Sequence, residues 1–559
     1  MSSAAKFFEQ ATTHHQAGRL NEAERDYIEA LKIDDRDADA LRLLAVLYAQ
    51  INQPERAIAF FERAHLVQPR NAETLNNLGV ALRNSGRLDD AIARYEQALT
   101  IDPHYAQARG NLVNAYYERG NAFIEQGRND EAGAWFEKVF HLEPRHFRAL
   151  NNFGNLRRAQ DKAEEAAGLF RQALAIRPDY AEAMANLGTS LRDLGKLDEA
   201  EHCYQKALGL KPGDADTLIN LGTLLQQRNR QEEAVALYDA ILRRMPDFGE
   251  AKWNKSLALL ALGDYAEGWA LHEAGLDCGR RGVAPFQVRR WDGREFPGRL
   301  LIWGEQGIGD QIQFVRYAAL CKARCGEVLV HARDTLGPLL QNCPYIDRVL
   351  TSSNEEDFDY QISMMSLPYI FGTTLEDVPA KMPYLFVSEE ARAKWAPKFA
   401  GVEGLKIGLV WAGNARASML DAHLIDRRRS LHLSLMKPLF ALQGARFYNL
   451  QMGDAAQQID ECGLRGRIED FMPEVGDFLD TAAIIENLDL VISVDTSVAH
   501  LAGGLGKPVW ILSRYDGCWR WLRNRETSPW YPTARVFGQK KPGAWPLVID
   551  EVHQALCAL

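Results

Sequence analysis

The feature that most restricts this chain is a period. Prolines stand at Pro69, Pro103, Pro144, Pro178, Pro212 and Pro246, at intervals of 34 residues broken once by an interval of 41. Other columns keep the same phase. Small residues occupy Ala45, Gly79, Gly120, Gly154, Gly188, Gly222 and Ser256. Alanine recurs at Ala23, Ala57, Ala91, Ala132, Ala166, Ala200 and Ala234, and a ring follows four residues later at Tyr27, Phe61, Tyr95, Phe136, Phe170, Tyr204 and Tyr238. A unit of this length predicts one pair of antiparallel helices, which cannot bury its apolar faces alone and must stack on its neighbours. The small residues let the paired helices approach. The ring is expected to fill the gap to the next pair, and proline stops the second helix. The seven extra residues near Ala106–Leu112 predict a longer helix or loop and a bend in the stack.

Together these columns resemble the tetratricopeptide repeat over residues 4–275, in about eight units. The ends are degenerate, with Asp35 in place of proline and Gly268 in place of alanine, as befits units that cap a stack. Such arrays form a concave groove that commonly takes peptides. One polar column falls on the first helix of each pair: Asn77, Asn152, Asn186, Asn220 and Asn254. An amide both donates and accepts, so this column can grip a peptide backbone without reading its side chains. Equally, each Asn can satisfy itself on its neighbours. The layout is similar to that of O-GlcNAc transferase, where such a ladder holds the acceptor polypeptide.

Composition narrows the function. A chain of 559 residues exceeds one core and predicts two to four domains. A net charge of −10 argues against nucleic-acid binding. Eight cysteines make no disulfide framework, and Cys321 and Cys325 have no second pair at zinc-ligand spacing. The N-terminus lacks the plan of a signal peptide, and no apolar run nears the ~20 residues of a membrane span. A cytoplasmic location is the resulting expectation.

After Gly275 the period stops. Residues 276–298 read as a linker or docking segment. Strands are then predicted at Leu300–Trp303, Val328–His331, Arg348–Leu350, Tyr360–Ile362, Lys406–Trp411, Arg446–Leu450, Leu490–Val494 and Pro508–Leu512, with helices between many of them. That alternation predicts parallel α/β sheets. They divide into a lobe over 299–390 and a second lobe over 404–559 that includes the C-terminal helix.

Several loops at strand ends carry chemistry. Gly304-Glu-Gln-Gly-Ile-Gly-Asp310 joins a strand to a helix. Gly307 and Gly309 allow close backbone approach to a ligand, while the spacing departs from the dinucleotide fingerprint. Asp310 is a candidate catalytic carboxylate or a helix cap. Asp495-Thr496-Ser497 opens a helix with His500 one turn in, and free N–H groups at such a start suit a diphosphate. A protonated His500 would add charge there. Gly408-Leu-Val-Trp-Ala-Gly-Asn414 and Arg427-Arg-Arg-Ser430 offer Asn414, a phosphate-binding Arg429 and Ser430, with residues 415–426 as a polar lid loop. Gln451 is a candidate contact for the base. Thr481 either contacts phosphate or caps a helix. The cluster Trp519-Arg-Trp-Leu522 and Ser528-Pro-Trp-Tyr531 reads more as packing than as a binding wall. There is no compact Asp-x-Asp for Mg²⁺ in the second lobe, since Asp357-Phe-Asp359 precedes a strand of the first.

The run from Asp495 to Pro508 resembles the nucleotide-sugar motif of the heptosyltransferase-like glycosyltransferases. Gly307-Ile-Gly-Asp310 is similar to that family's N-lobe motif, whose Asp is the proposed base. The resemblance implies an α-solenoid followed by a GT-B domain of two Rossmann-like lobes, whose C-terminal helix packs back across the first lobe. It implies a metal-independent enzyme without cofactor. Asp310 and His500 would be catalytic, and Asp495, Thr496, Ser497 and Arg429 would hold the donor. The acceptor expected in the groove is a protein; some relatives of this layout glycosylate flagellin. Self-association of the array is compatible with this reading. The alternatives are a repeat scaffold with a retired catalytic domain, or an enzyme acting on lipopolysaccharide or another glycan.

Overall fold

A computed structural model describes residues 3–282, 286–350, 357–414 and 419–559. From Ser3 to His272 the chain forms eight consecutive pairs of helices, from Ser3–Gln16 with Leu20–Ile33 to Gly249–Leu262 with Tyr265–His272. The proline column follows the second helix of a pair, as at Pro69 after Pro54–Val67, where a missing N–H stops the helix. The seven extra residues lengthen one helix, Ala106–Glu125, to 20 residues against 13 or 14 in its counterparts. Seven residues are close to two turns, so the buried face continues without a break.

The chain divides into two compact units, Met1–Leu194 and Gly195–Leu559. In the first, an added Cβ at Gly79 would lie 2.5 Å from Tyr95, and one at Gly154 would lie 2.6 Å from Phe170. In the second, Gly222 meets Tyr238 in the same way. The aromatic column therefore closes on the glycine of its own pair, which corrects the expectation that it serves chiefly the next pair. Contact onward also occurs, as between Phe136 and Phe153, whose ring centres are 6.1 Å apart.

The second unit holds two sheets, and every strand pair in them is parallel. The first contains β1 (Arg299–Trp303), β2 (Glu327–His331), β3 (Arg348–Leu350) and β4 (Tyr360–Ser363), in the order β3-β2-β1-β4. The second contains β5 (Leu405–Val410), β6 (Ala445–Asn449), β7 (Ile468–Glu469), β8 (Leu490–Val494), β9 (Val509–Ser513) and β10 (Ala534–Gly538), in the order β10-β9-β8-β5-β6-β7. That is the doubly wound order, which reverses between β5 and β8. Strand β8 is buried along its whole length, as a central parallel strand with both faces covered must be.

Sequence reading missed β7 and β10. The first has two residues, and the second mixes buried and exposed positions at the sheet edge without a regular alternation. Residues 415–418 of the expected lid loop lie outside the described residues. Its remainder is corrected: Leu420–Arg429 is a helix. That run lacks glycine and proline, carries Asp421 in its first turn and ends on three arginines, the polarity a helix dipole favours.

The C-terminal helix, Trp545–Cys557, is also corrected. Its buried side chains Trp545, Val548, Ile549, Val552 and Leu556 join the core of the second sheet with Ile407, Leu409 and Ile492, not the first lobe. Residues after Asp277 dock rather than dangle: Arg281 and Trp291 are buried.

Candidate functional site

Doubly wound sheets bind ligands beyond the carboxyl ends of the strands, where the winding reverses. In the second sheet that place lies between the ends of β5 and β8. Strand β5 runs into Trp411-Ala-Gly413, and β8 into Asp495-Thr496-Ser497, where the Ser497–Gly504 helix begins. Arg429 joins the two. Its Nη1 donates to the Asp495 carbonyl at 3.2 Å, and its Nε donates to Asp426 Oδ1 at 2.9 Å. A Cβ on Gly413 would sit 2.0 Å from Asp426 Oδ1 and 2.3 Å from Arg429 Nη2, so only glycine admits this guanidinium. Ser430 Oγ accepts from the Gly413 N–H at 3.0 Å. Asn414 lies exposed beside them.

The first sheet contributes its own strand-end loop. Its Ile308–Phe314 helix packs on the Ser497–Gly504 helix. A Cβ on Gly309 would lie 3.0 Å from His500 Cδ2 and 3.5 Å from the Ser497 Cα. The close approach Gly309 permits is thus to His500, not to a ligand, which corrects that part of the expectation. Gly307 starts the helix, and its N–H donates to Asp310 Oδ2 at 2.9 Å. Asp310 Oδ1 takes a hydrogen bond from Arg520. The carboxylate therefore does cap its helix, and it also carries an ion pair to the loop after β9.

His500 is buried. Its Nδ1 lies 2.9 Å from the Tyr531 hydroxyl and its Nε2 lies 4.0 Å from Asp495 Oδ1. Its ring stacks on Trp521 at 5.2 Å. Burial pushes the imidazole down to about 3; the attraction of Asp495 opposes this, while Arg520, Arg316 and Arg429 reinforce it. Burial thus disfavours the protonated form that would have added charge there.

Other expected residues are committed elsewhere. Gln451 Oε1 accepts from the N–H groups of Trp411 and Ala412, at 3.2 and 2.9 Å, and its Nε2 donates to the Met452 carbonyl at 2.9 Å. It ties β5 to β6 with a buried amide. Thr481 lies inside the Phe478–Glu486 helix and bonds the Asp477 carbonyl, while Asp477 is the cap. Thr496 precedes the first turn of its helix, with Oγ1 3.0 Å from Ser493 Oγ.

The asparagine column is partly self-satisfied. Asn152 donates to Tyr117 and Asn121 at 3.0 and 2.8 Å and accepts from Asn151 at 3.3 Å. Asn186 donates to Asn151, and Asn77 accepts from Asn76. Asn254 bonds the Glu250 carbonyl one turn back, and Asn220 is half-buried.

Sequence reading missed Arg514 and Arg520. Arg514 is paired with Asp516 at 3.0 Å, and Arg520 lies over the Trp519 ring at 4.3 Å. An arginine between two tryptophans was the available signal, since it cannot face water if both rings are buried. The rings are indeed packing: Trp530 donates to Tyr265 and Trp269 meets Trp519 edge-on. Trp521, against His500, is the exception.

These features define a tetratricopeptide-repeat solenoid followed by parallel α/β sheets. Family profiles described as tetratricopeptide repeat match residues 14–77, 82–122, 113–146, 145–211 and 179–247. Protein FlbA of Caulobacter vibrioides is 28% identical over 344 residues, which cover 56% of this chain and 55% of that protein. The chain thus spans about half the length of this relative. Among solved structures, YrrB, described as a TPR protein with an unusual peptide-binding site, is 20% identical with a TM-score of 0.27, covering 34% of this chain and 94% of that one. The C-terminal part of a TPR repeat-containing protein from Cytophaga hutchinsonii is 18% identical with a TM-score of 0.35, covering 44% and 98%. Among the described residues no helix is long and apolar enough to cross a membrane.

Proposed function

We propose that the chain is a glycosyltransferase of GT-B type that moves a sugar from a nucleotide-sugar donor to a polypeptide. The observation that carries this reading is the reversal point of the second sheet. There Arg429, held by Gly413 and Asp426, meets Asp495 at the start of the Ser497–Gly504 helix. A guanidinium beside free helix N–H groups suits a diphosphate. Thr496 and Ser497 add hydroxyls, and Asp495 would bond a sugar hydroxyl. These groups would stabilise the charge on the departing nucleoside diphosphate.

Asp310, from the opposite loop, would orient the acceptor hydroxyl and take its proton. Its bond from the Gly307 N–H fixes one oxygen, and release of Arg520 would free the other. The repeats would present the acceptor, as peptide binding is a common use of such arrays. Both N–H groups of Asn152 are already engaged, so a peptide acceptor there would displace its lateral bonds.

The test is a thermal-shift titration of the whole chain with UDP-, GDP-, ADP-, TDP- and CMP-sugars. Saturable stabilisation by one donor, lost in Arg429→Ala, is the expected result. No response to any donor by folded protein would favour a scaffold instead.

A further inference from the structure

The proton positions around His500 follow from the groups behind it. Tyr384 donates its only hydroxyl proton to the Ile312 carbonyl at 3.0 Å and accepts from Arg316 at 3.1 Å. Arg316 is itself buried against the rings of Tyr384 and Tyr531 and bonded to the carbonyls of Gln313 and Trp530. Tyr384 thus has no proton to offer Tyr531, whose hydroxyl lies 3.4 Å away. Tyr531 must donate, either to that distant and already engaged oxygen or to His500 Nδ1 at 2.9 Å. Donation to Nδ1 uses the shorter contact and leaves Nε2 to carry the proton of the ring. Asp495 favours the same choice from the other side. Its carboxylate faces His500 Nε2 at 4.0 Å, which attracts an N–H and repels a lone pair.

We infer that Tyr531 locks His500 as the neutral Nε2–H tautomer, aimed as a hydrogen-bond donor at an oxygen of the bound donor substrate. This deepens the function proposed above and rests on it only for the identity of the ligand. The 4.0 Å gap between Nε2 and Asp495 is too long for a direct bond and leaves both groups able to engage a ligand. Trp521 holds the plane of the imidazole by stacking, and its own buried Nε1 has no partner among the described residues. Gln313 Nε2, on the residue that accepts from Arg520, is likewise buried and has no partner among the described residues. Buried donors without acceptors are uncommon, and these suit an oxygen-rich ligand. The groups facing the imidazole are Asp495, Tyr531, Arg520, Arg316 and Arg429, with Tyr384 behind. Recognition by a neutral donor is independent of pH where a cationic histidine would titrate.

Histidine ¹⁵N resonances of the whole chain test this. The chain has 13 histidines, and the one lost in His500→Gln identifies the residue. The expected spectrum is a neutral Nε2–H ring that does not titrate between pH 8 and 5.5, and whose Nε2–H shifts when the preferred nucleoside diphosphate is added. An Nδ1–H ring, a cationic ring, or no shift with a diphosphate that demonstrably binds would overturn the inference. Failure of every diphosphate to bind would instead overturn the functional reading, while the tautomer would still be decided by the spectrum. His500→Gln, whose amide N–H replaces Nε2–H, is expected to keep donor affinity within about tenfold, and His500→Asn to lose more. Tyr531→Phe should weaken donor binding roughly fivefold to tenfold, the worth of one oriented hydrogen bond. Equal loss in the Gln and Asn variants, with both folded, would count against the role.

Discussion

The two sheets reverse their winding in the same way, yet their reversal points are filled differently. In the first sheet that point lies between β1 and β4, and the chain occupies it. Arg281 enters from the segment after the repeats and donates to Glu305, to Ser363 and Ser366 at 3.0 and 2.9 Å, and to Glu273 at 2.8 Å. Both Arg281 and Glu305 side chains are fully buried. The space left beside Trp303, Ser363 and Ser366 is about 140 Å³, below the roughly 300–1,000 Å³ of small-molecule sites. In the second sheet the same place holds a guanidinium, a helix start and two hydroxyl residues. Topology marks both crevices; side chains turn one into a joint and leave the other suited to an anion.

The comparison breaks most strongly at the joint. Arg281→Ala would leave Glu305 buried without its cation, and a loss of about 3–5 kcal/mol is expected in urea unfolding. Replacing Glu305 with Leu in the same chain should recover much of that loss. Donor affinity of the folded fraction should not change.

The opposite pattern is expected at the second crevice. Arg429→Ala should weaken donor binding by about 10- to 100-fold, since charged hydrogen bonds are worth about 1.5–3 kcal/mol, and should cost less in unfolding than Arg281→Ala, because Arg429 and its partner Asp426 are less completely buried than Arg281 and Glu305. Gly413→Ala should do the same by pushing Arg429 off its seat, whereas Ser430→Ala should not.

A smaller effect sharpens the contrast through pH. Burial holds His500 down to about 3, and His272, beside Arg281, is also well below its ordinary value. The unfolded chain therefore takes up these protons first, near pH 6.5. Their contribution to stability is complete above that pH and falls as pH drops toward 3. The expected loss is up to about 1.4 kcal/mol per pH unit for each histidine. Urea midpoints from pH 7 to 5 check it, and His500→Gln should remove one proton's share of the slope.

The smallest effect belongs to the repeats. Asn152→Ala should cost about 1 kcal/mol, the ordinary worth of lateral hydrogen bonds.

The repeats were legible because each constraint recurs. The glycine that meets Tyr95 is matched by others at the same phase, so periodicity exposes the packing. Strand ends were legible too: Gly413 and Asp495 stand just past a buried strand, and Asp310 in the first turn of the helix that follows another. What could not be read was pairing across distance. Gln451 and Thr481 carry the right groups at plausible places, but each is spent on nearby backbone. Arg281 stands in a segment rich in Arg, Gly and Pro, and only its partners, as distant in sequence as Ser366, give it a role. His500 showed its position but not its charge, because that is set by burial and by Tyr531.

Hydrogen exchange on the whole chain, with and without a saturating nucleotide sugar, tests the central claim most directly. Protection of the Trp411–Gly413 and Asp495–His500 backbone, with Ser363–Ser366 unchanged, is the predicted result. Protection centred on Ser363–Ser366, with Asp495–His500 unaffected, would place the ligand in the wrong crevice and contradict the account.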